Sequence, residues 1–209
     1  MRNLTKYSLI LIVLSWPGCK DNSLVDPAPN GLLPLSVNTY WTYYLEDLDS
    51  KGDSLRSWTI SEAIPFDSLI DGKKRYRYIL GTDFALYGTS FFLTNEDDGV
   101  HEYVRPMDTS YLFYKYPGTV NEEFASFRDT IKIIAINERV STPAGTFNCI
   151  VYQQWTNYFN GNNPKNILLT TYVAPGIGKV KYEYTFIDPF HSDDPSPIRR
   201  GILVEYRIF

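Results

Sequence analysis

Residues 141–183 read STPAGTFNCIVYQQWTNYFNGNNPKNILLTTYVAPGIGKVKYE. Thr142-Pro143-Ala144-Gly145 has the chemistry of a tight hairpin. Pro143 pre-sets φ for the first turn position, and Gly145 supplies the left-handed conformation that closes it. Strands are therefore expected over Thr130–Val140 and Thr146–Tyr158. A second return is expected at Asn160-Gly161-Asn162-Asn163-Pro164, a run of loop formers. A third strand follows at Ile167–Ala174, and Pro175-Gly176 breaks it. In Lys179–Phe186 the alternation puts Val180, Tyr182, Tyr184 and Phe186 on one face. Lys179, Lys181, Glu183 and Thr185 fall on the other, the period of a half-buried strand.

The same grammar runs outward in both directions. Trp41, Tyr43 and Leu45 alternate with Thr42, Tyr44 and Glu46. Trp58 and Ile60 oppose Ser57, Thr59 and Ser61. Asp71-Gly72 is a hairpin signal, after which Tyr76, Tyr78 and Leu80 alternate with Arg75, Arg77 and Ile79. Shorter strands are expected at Phe91–Thr94, Val100–Arg105 and Tyr111–Tyr116. Asn121–Arg128 reads as a short helix capped by Asn121. Asp188–Arg200 holds three prolines and reads as the longest irregular loop. Ile202, Val204, Tyr206 and Ile208 form a closing strand with Glu205 and Arg207 facing out. About ten short strands joined by hairpins imply an all-β antiparallel meander, with at most one short helix. To bury one face, such a meander curls into a barrel or half-barrel, or splits into a sandwich.

Two segments of the central stretch, PAGTF at 143–147 and YVAPGIGKVKYE at 172–183, resemble a pattern of uncharacterised bacterial envelope lipoproteins. Those are families of unknown function often found in Bacteroidota. The segment PLSVNTYWTYY at 34–44 resembles their opening strand, with Asn38 where the pattern has glycine. The resemblance implies a strongly curved sheet, like that of outer-membrane lipoprotein carriers. It implies no activity, because the matching residues are turn formers and strand aromatics.

The N-terminus agrees in kind. Arg2 and Lys6 precede an apolar run, Tyr7–Trp16, too short to span a bilayer. This is secretory signal geometry. Cys19 follows Pro17-Gly18 and resembles a bacterial lipobox, in which cleavage exposes a cysteine that then carries acyl chains. An ordinary signal peptide with an incidental cysteine is the alternative. Lys20-Asp21 resembles the export tag of surface lipoproteins. The expected organisation is a signal peptide at 1–18, a lipidated tether at 19–30 and one β-rich domain at 31–209. The expected location is the bacterial outer membrane, anchored through lipid on Cys19 and facing the periplasm or the cell surface.

Composition narrows the function. The precursor has net charge −4, and losing Arg2 and Lys6 takes it to about −6. An acidic chain argues against nucleic-acid partners. With Cys19 acylated, Cys149 has no intrachain partner, so no disulfide is expected. Aromatic residues make up 16% of the chain, with 17 tyrosines, a balance that favours strands. Asp47–Asp53 faintly resembles an acidic calcium loop, but Lys51 stands at a ligand position, and a solvated turn is the better reading. His101 sits beside Glu102. His191 sits in the long loop with Asp193 and Asp194, and no second His-rich or Cys-rich segment completes a zinc site. No catalytic residue, metal site or cofactor is assigned. Three functions remain in order: a lipid-anchored binding or accessory module for a glycan or envelope protein, a carrier of an apolar ligand in the curved sheet, and a hydrolase using loop carboxylates near His191.

Overall fold

The computed structural model describes residues 31–81, 90–127, 129–160, 163–187 and 196–209. The signal segment, Cys19, the tether and the His191–Asp194 cluster lie outside the described residues.

Among the described residues, thirteen strands form one antiparallel sheet. In chain order they are β1 (Tyr40–Leu48), β2 (Ser54–Ala63), β3 (Asp67–Ile70), β4 (Lys73–Leu80), β5 (Ser90–Glu96), β6 (Gly99–Val104), β7 (Thr109–Lys115), β8 (Glu123–Ala125), β9 (Thr130–Thr142), β10 (Gly145–Asn160), β11 (Asn163–Ala174), β12 (Gly178–Ile187) and β13 (Ser196–Arg207). The spatial order is β7-β6-β5-β4-β2-β1-β13-β12-β11-β10-β9-β8, with β3 beside β4. The first and last strands thus pair at the centre, and the sheet meanders away from them on both sides. It curls into a nearly closed barrel, so the expected all-β barrel class is correct.

The hairpins form where turn chemistry demands. Gly145 pairs with Thr142 across Pro143-Ala144. Asp71 and Gly72, both at positive φ, close β3 on β4. Asn38, where the lipoprotein pattern has glycine, sits at φ 71°, a conformation asparagine tolerates. Asn163 and Pro164 already belong to β11 rather than to the preceding turn.

Three expectations are corrected. The helix expected at Asn121–Arg128 is not formed over its described residues: Glu123–Ala125 is strand β8, and Phe124 pairs with Ile131. Pairing with β9 overrides a weak local helical preference. The helical turn found among the described residues is a 3-10 turn at Arg105–Met107. Second, strand β13 starts at Ser196, so the tail of the expected long loop is ordered in the sheet. Arg199 and Arg200 are fixed there by ion pairs to Asp47 and Glu46 of β1, at 2.7 and 2.6 Å. Third, a bulge shifts the register where Thr42 pairs with Glu205 but Tyr43 with Leu203. Leu203, rather than Ile202 and Val204, therefore joins the buried face, while Tyr206 keeps its expected side.

The core lies inside the barrel and is rich in rings. Trp41 and Tyr43 are fully buried; Trp41 packs on Tyr78 at 5.5 Å and Tyr43 on Tyr182 at 5.9 Å. Gly201 is bare because Tyr182 lies against it: a Cβ there would meet the ring at 2.5 Å. One end of the barrel is plugged by the segment before β1. Leu32, Leu33 and Leu35 are buried, the Gly176 amide donates to Leu32 O (3.1 Å), and Asn95 Nδ2 donates to Leu33 O (2.8 Å). The indole of Trp41 donates to Ile177 O at 2.6 Å, tying that end to the Pro175-Gly176 turn.

The seam between β7 and β8 is closed by side chains. Tyr152 reaches across to donate to Lys115 O at 2.7 Å, and its ring contacts Tyr114 at 4.8 Å and Phe124 at 6.4 Å. Lys115 pairs with Glu122 at 2.9 Å, and Tyr111 packs on Phe127 at 5.0 Å.

Candidate functional site

Continuing the alternation of β2 past Trp58 and Ile60 points Glu62 into the barrel. Its side chain is 2% exposed. Opposite it, Lys179 enters from the start of β12. The expected outward position of Lys179 is wrong, because a bulge pairs Tyr172 with Lys181 but Val173 with Lys179. Val180 drops into the core and Lys179 also turns inward. Lys181 and Glu183 keep the outer face and pair at 3.0 Å.

Lys179 Nζ donates to Glu62 Oε1 at 2.7 Å, and the Tyr78 hydroxyl donates to Glu62 Oε2. The ammonium also lies 4.6 Å from the Tyr182 ring centre and 5.1 Å from that of Tyr43. The Tyr43 hydroxyl donates to Lys179 O at 2.9 Å. Burial, and next the Glu62 charge, push the phenols of Tyr43 and Tyr78 well above the usual tyrosine range. Burial likewise raises Tyr114, Tyr152 and Tyr182. These phenols therefore stay protonated and act as donors. The result is an ion pair in the barrel whose two carboxylate oxygens are both satisfied.

Above it lies a pocket of about 130 Å³. Leu33 of the plug closes one end, and Leu80, Leu93, Leu169, Tyr114 and Tyr184 form its walls, with Lys179 and Thr171 adding polar atoms. Phe91 and Phe113, stacked with ring centres 6.3 Å apart, stand at its other end.

The same two rings border a second and larger cavity of about 640 Å³ at the end of the barrel opposite the plug. Its walls come from Arg77 on β4, Phe91 and Phe92 on β5, Glu102–Val104 on β6, Arg105 and Pro106, Phe113 on β7, Ser126–Phe127 and Asp129 before β9, and Gln154 on β10. Phe91 and Phe92 point to opposite faces of β5, so this cavity wraps the rim of the sheet. It also bridges the β7–β8 seam. The two cavities thus share the Phe91 and Phe113 rings, the outer one open and of mixed polarity, the inner one small and mostly apolar with Lys179 and Thr171 as its polar atoms.

The other sequence-derived candidates fall elsewhere. Asp47 pairs with Arg199 and Arg56, which hold its carboxyl below the usual range, and Asp49 accepts the amides of Lys51 and Asp53. Those carboxylates shape a hairpin turn. His101 contacts Asp98 at 2.7 Å beside the β5–β6 turn, apart from both cavities. Cys149 is a buried free thiol, pushed up to about 12 by desolvation. Glu62 and Lys179 were missed by sequence reasoning. The in–out period of β2 was a usable signal for Glu62; none existed for Lys179, because a bulge is invisible in the pattern.

No family model matches the chain, and no curated protein matches it significantly. Solved structures do. A Bacteroides fragilis protein, provisionally described as exported and as having a YmcC-like fold, superposes with a TM-score of 0.59 at 11% identity, covering 85% of this chain and 99% of that one. A Parabacteroides distasonis protein provisionally described as a lipoprotein aligns over 85% of this chain and 99% of its own, at 14% identity and a TM-score of 0.49. The first likeness shows a shared fold.

Proposed function

We propose that the chain is a lipid-anchored envelope binding module that takes an apolar or amphiphilic ligand through the open rim of its barrel. The observation that carries this reading is the pair of cavities meeting at Phe91 and Phe113, closed at one end by Leu33 and open at the other. Of the glycan, envelope protein and apolar ligand considered from sequence, the cavities favour the carried apolar molecule over a surface glycan. The exposed aromatic rings, Phe66, Trp155 and Phe209, sit on different elements and make no common platform among the described residues.

Export and anchoring rest on the signal-like N-terminus and on Cys19. The Bacteroides fragilis protein of the same fold is itself described as exported, which agrees with them. The tether would join the domain at Gly31, on the plugged end, and so turn the rim away from the membrane.

The test is a titration of the full chain with N-phenyl-1-naphthylamine, an uncharged probe that brightens in apolar sites. One saturable site, emptied by added dodecanol, is the expected result. A weak signal that rises linearly and never saturates contradicts the reading.

A further inference from the structure

We infer that the rim cavity recognises an amphiphile by an anionic head, a carboxylate or phosphate, received by Arg77 and Arg105; this inference rests on the binding-module reading above. Both arginines line the cavity. Among the described residues, neither has a carboxylate within ion-pair distance, whereas the nearby Lys73, Lys74 and Lys115 all do. Each guanidinium instead faces a ring: Arg77 lies 5.2 Å from the centre of Phe66, and Arg105 lies 5.5 Å from that of Phe92. Arg77 Nε is shut away from solvent with no hydrogen-bond partner. A guanidinium carries five donors in a fixed fork, and a buried one left unmatched is unusual.

The placement is set by the sheet. Arg77, Phe92 and Tyr103 are cross-strand neighbours in register on β4, β5 and β6. Two residues back on β4, Arg75 is 4% exposed, lies 4.4 Å over Tyr103 and donates to Ser110 Oγ at 2.8 Å. It too has no carboxylate partner among the described residues, and so adds positive potential behind the rim. Two acids share the cavity, and each has a partner: Asp129 accepts from Gln154 at 2.6 Å, and Glu102 has an interaction of its own. Arginines lining one cavity suit planar or tetrahedral oxyanions through charge-assisted, bidentate hydrogen bonds. From that point Phe91 and Phe113 lead an apolar body inward.

The experiment uses the full chain carrying Cys19→Ser, exported behind a cleavable signal so that no acyl group competes. Dodecyl phosphate, dodecanol and inorganic phosphate are each titrated by calorimetry, below the micelle threshold. Dodecyl phosphate should bind at least tenfold more tightly than dodecanol and than inorganic phosphate. The Arg77→Gln, Arg105→Gln double variant should lose that advantage while still binding dodecanol as the parent does, which also shows that it is folded. Equal binding of dodecyl phosphate and dodecanol overturns the anionic-head inference and leaves the binding module standing. Inorganic phosphate binding as tightly as dodecyl phosphate assigns the arginines to a free anion and overturns the amphiphile. If neither twelve-carbon chain binds, the binding-module reading itself fails.

Discussion

Glu62 and Lys179 are the residues on which the barrel interior turns. The Glu62 carboxylate lies out of water and Lys179 is largely buried beside it, the pair being held by each other, by Tyr78 and by the rings around the ammonium. Removing one partner of such a pair costs about 3–5 kcal/mol, whereas replacing both with apolar groups is often neutral. Glu62→Ala should therefore lower the unfolding free energy by about that amount, and the Glu62→Leu, Lys179→Met pair should recover most of it in denaturant titrations. The phenols add a pH signature. Tyr43 and Tyr78 ionise near pH ~10 when unfolded and well above that when folded, so their contribution is complete below pH ~10. It is lost as pH rises further, because the unfolded chain then releases protons that the folded one keeps. Each such phenol subtracts about 1.4 kcal/mol per pH unit in that range. Urea midpoints measured between pH ~8 and ~11 should hold level and then fall steeply past ~10. A flat profile would contradict the burial of these hydroxyls.

At the scale of elements, most of the architecture was legible from period and punctuation. The hairpins at Pro143-Ala144 and Asp71-Gly72, and the inward faces of β1 and β4, follow from residue chemistry alone. What escaped was everything set by non-local pairing. Strand β8 reads as a capped helix until β9 is laid beside it. The bulges in β12 and β13 reverse side-chain directions without leaving a mark in the alternation. The candidate site depends on both effects: Lys179 turns in at a bulge, and the rim cavity gathers residues from five strands and two connections that no spacing rule brings together. The seam is a further consequence of closure. Among the described residues β7 and β8 meet through Tyr152, Tyr114 and the Lys115–Glu122 pair, without the ladder that joins β1 to β13. Amide hydrogen exchange should be faster in β7 and β8 than in β1 and β13, and Tyr152→Phe should speed it further at the seam. Equal protection of all four strands would show that the barrel closes by backbone pairing after all.

Over its described residues the whole molecule is a barrel with a ring-rich core, closed at one end by Leu32, Leu33 and Leu35, with a small cavity beneath that plug and a wider one open at the far end. Under the proposed anchoring through Cys19, a tether joining at Gly31 would hold that opening away from the membrane surface. The aromatic content that a sequence reader assigns to strand propensity also builds the cavity walls, since Phe91, Phe113, Tyr114 and Tyr184 all face inward. The proposed function requires that these cavities hold a ligand in the envelope. The direct measurement is native mass spectrometry of the full chain isolated from a bacterial envelope, before and after extraction with organic solvent. The account predicts an added mass, beyond any acyl group on Cys19, that follows the organic phase and diminishes when Phe113→Glu places a charge between the two compartments. A chain that flies at its own mass before extraction, in parent and variant alike, would contradict it.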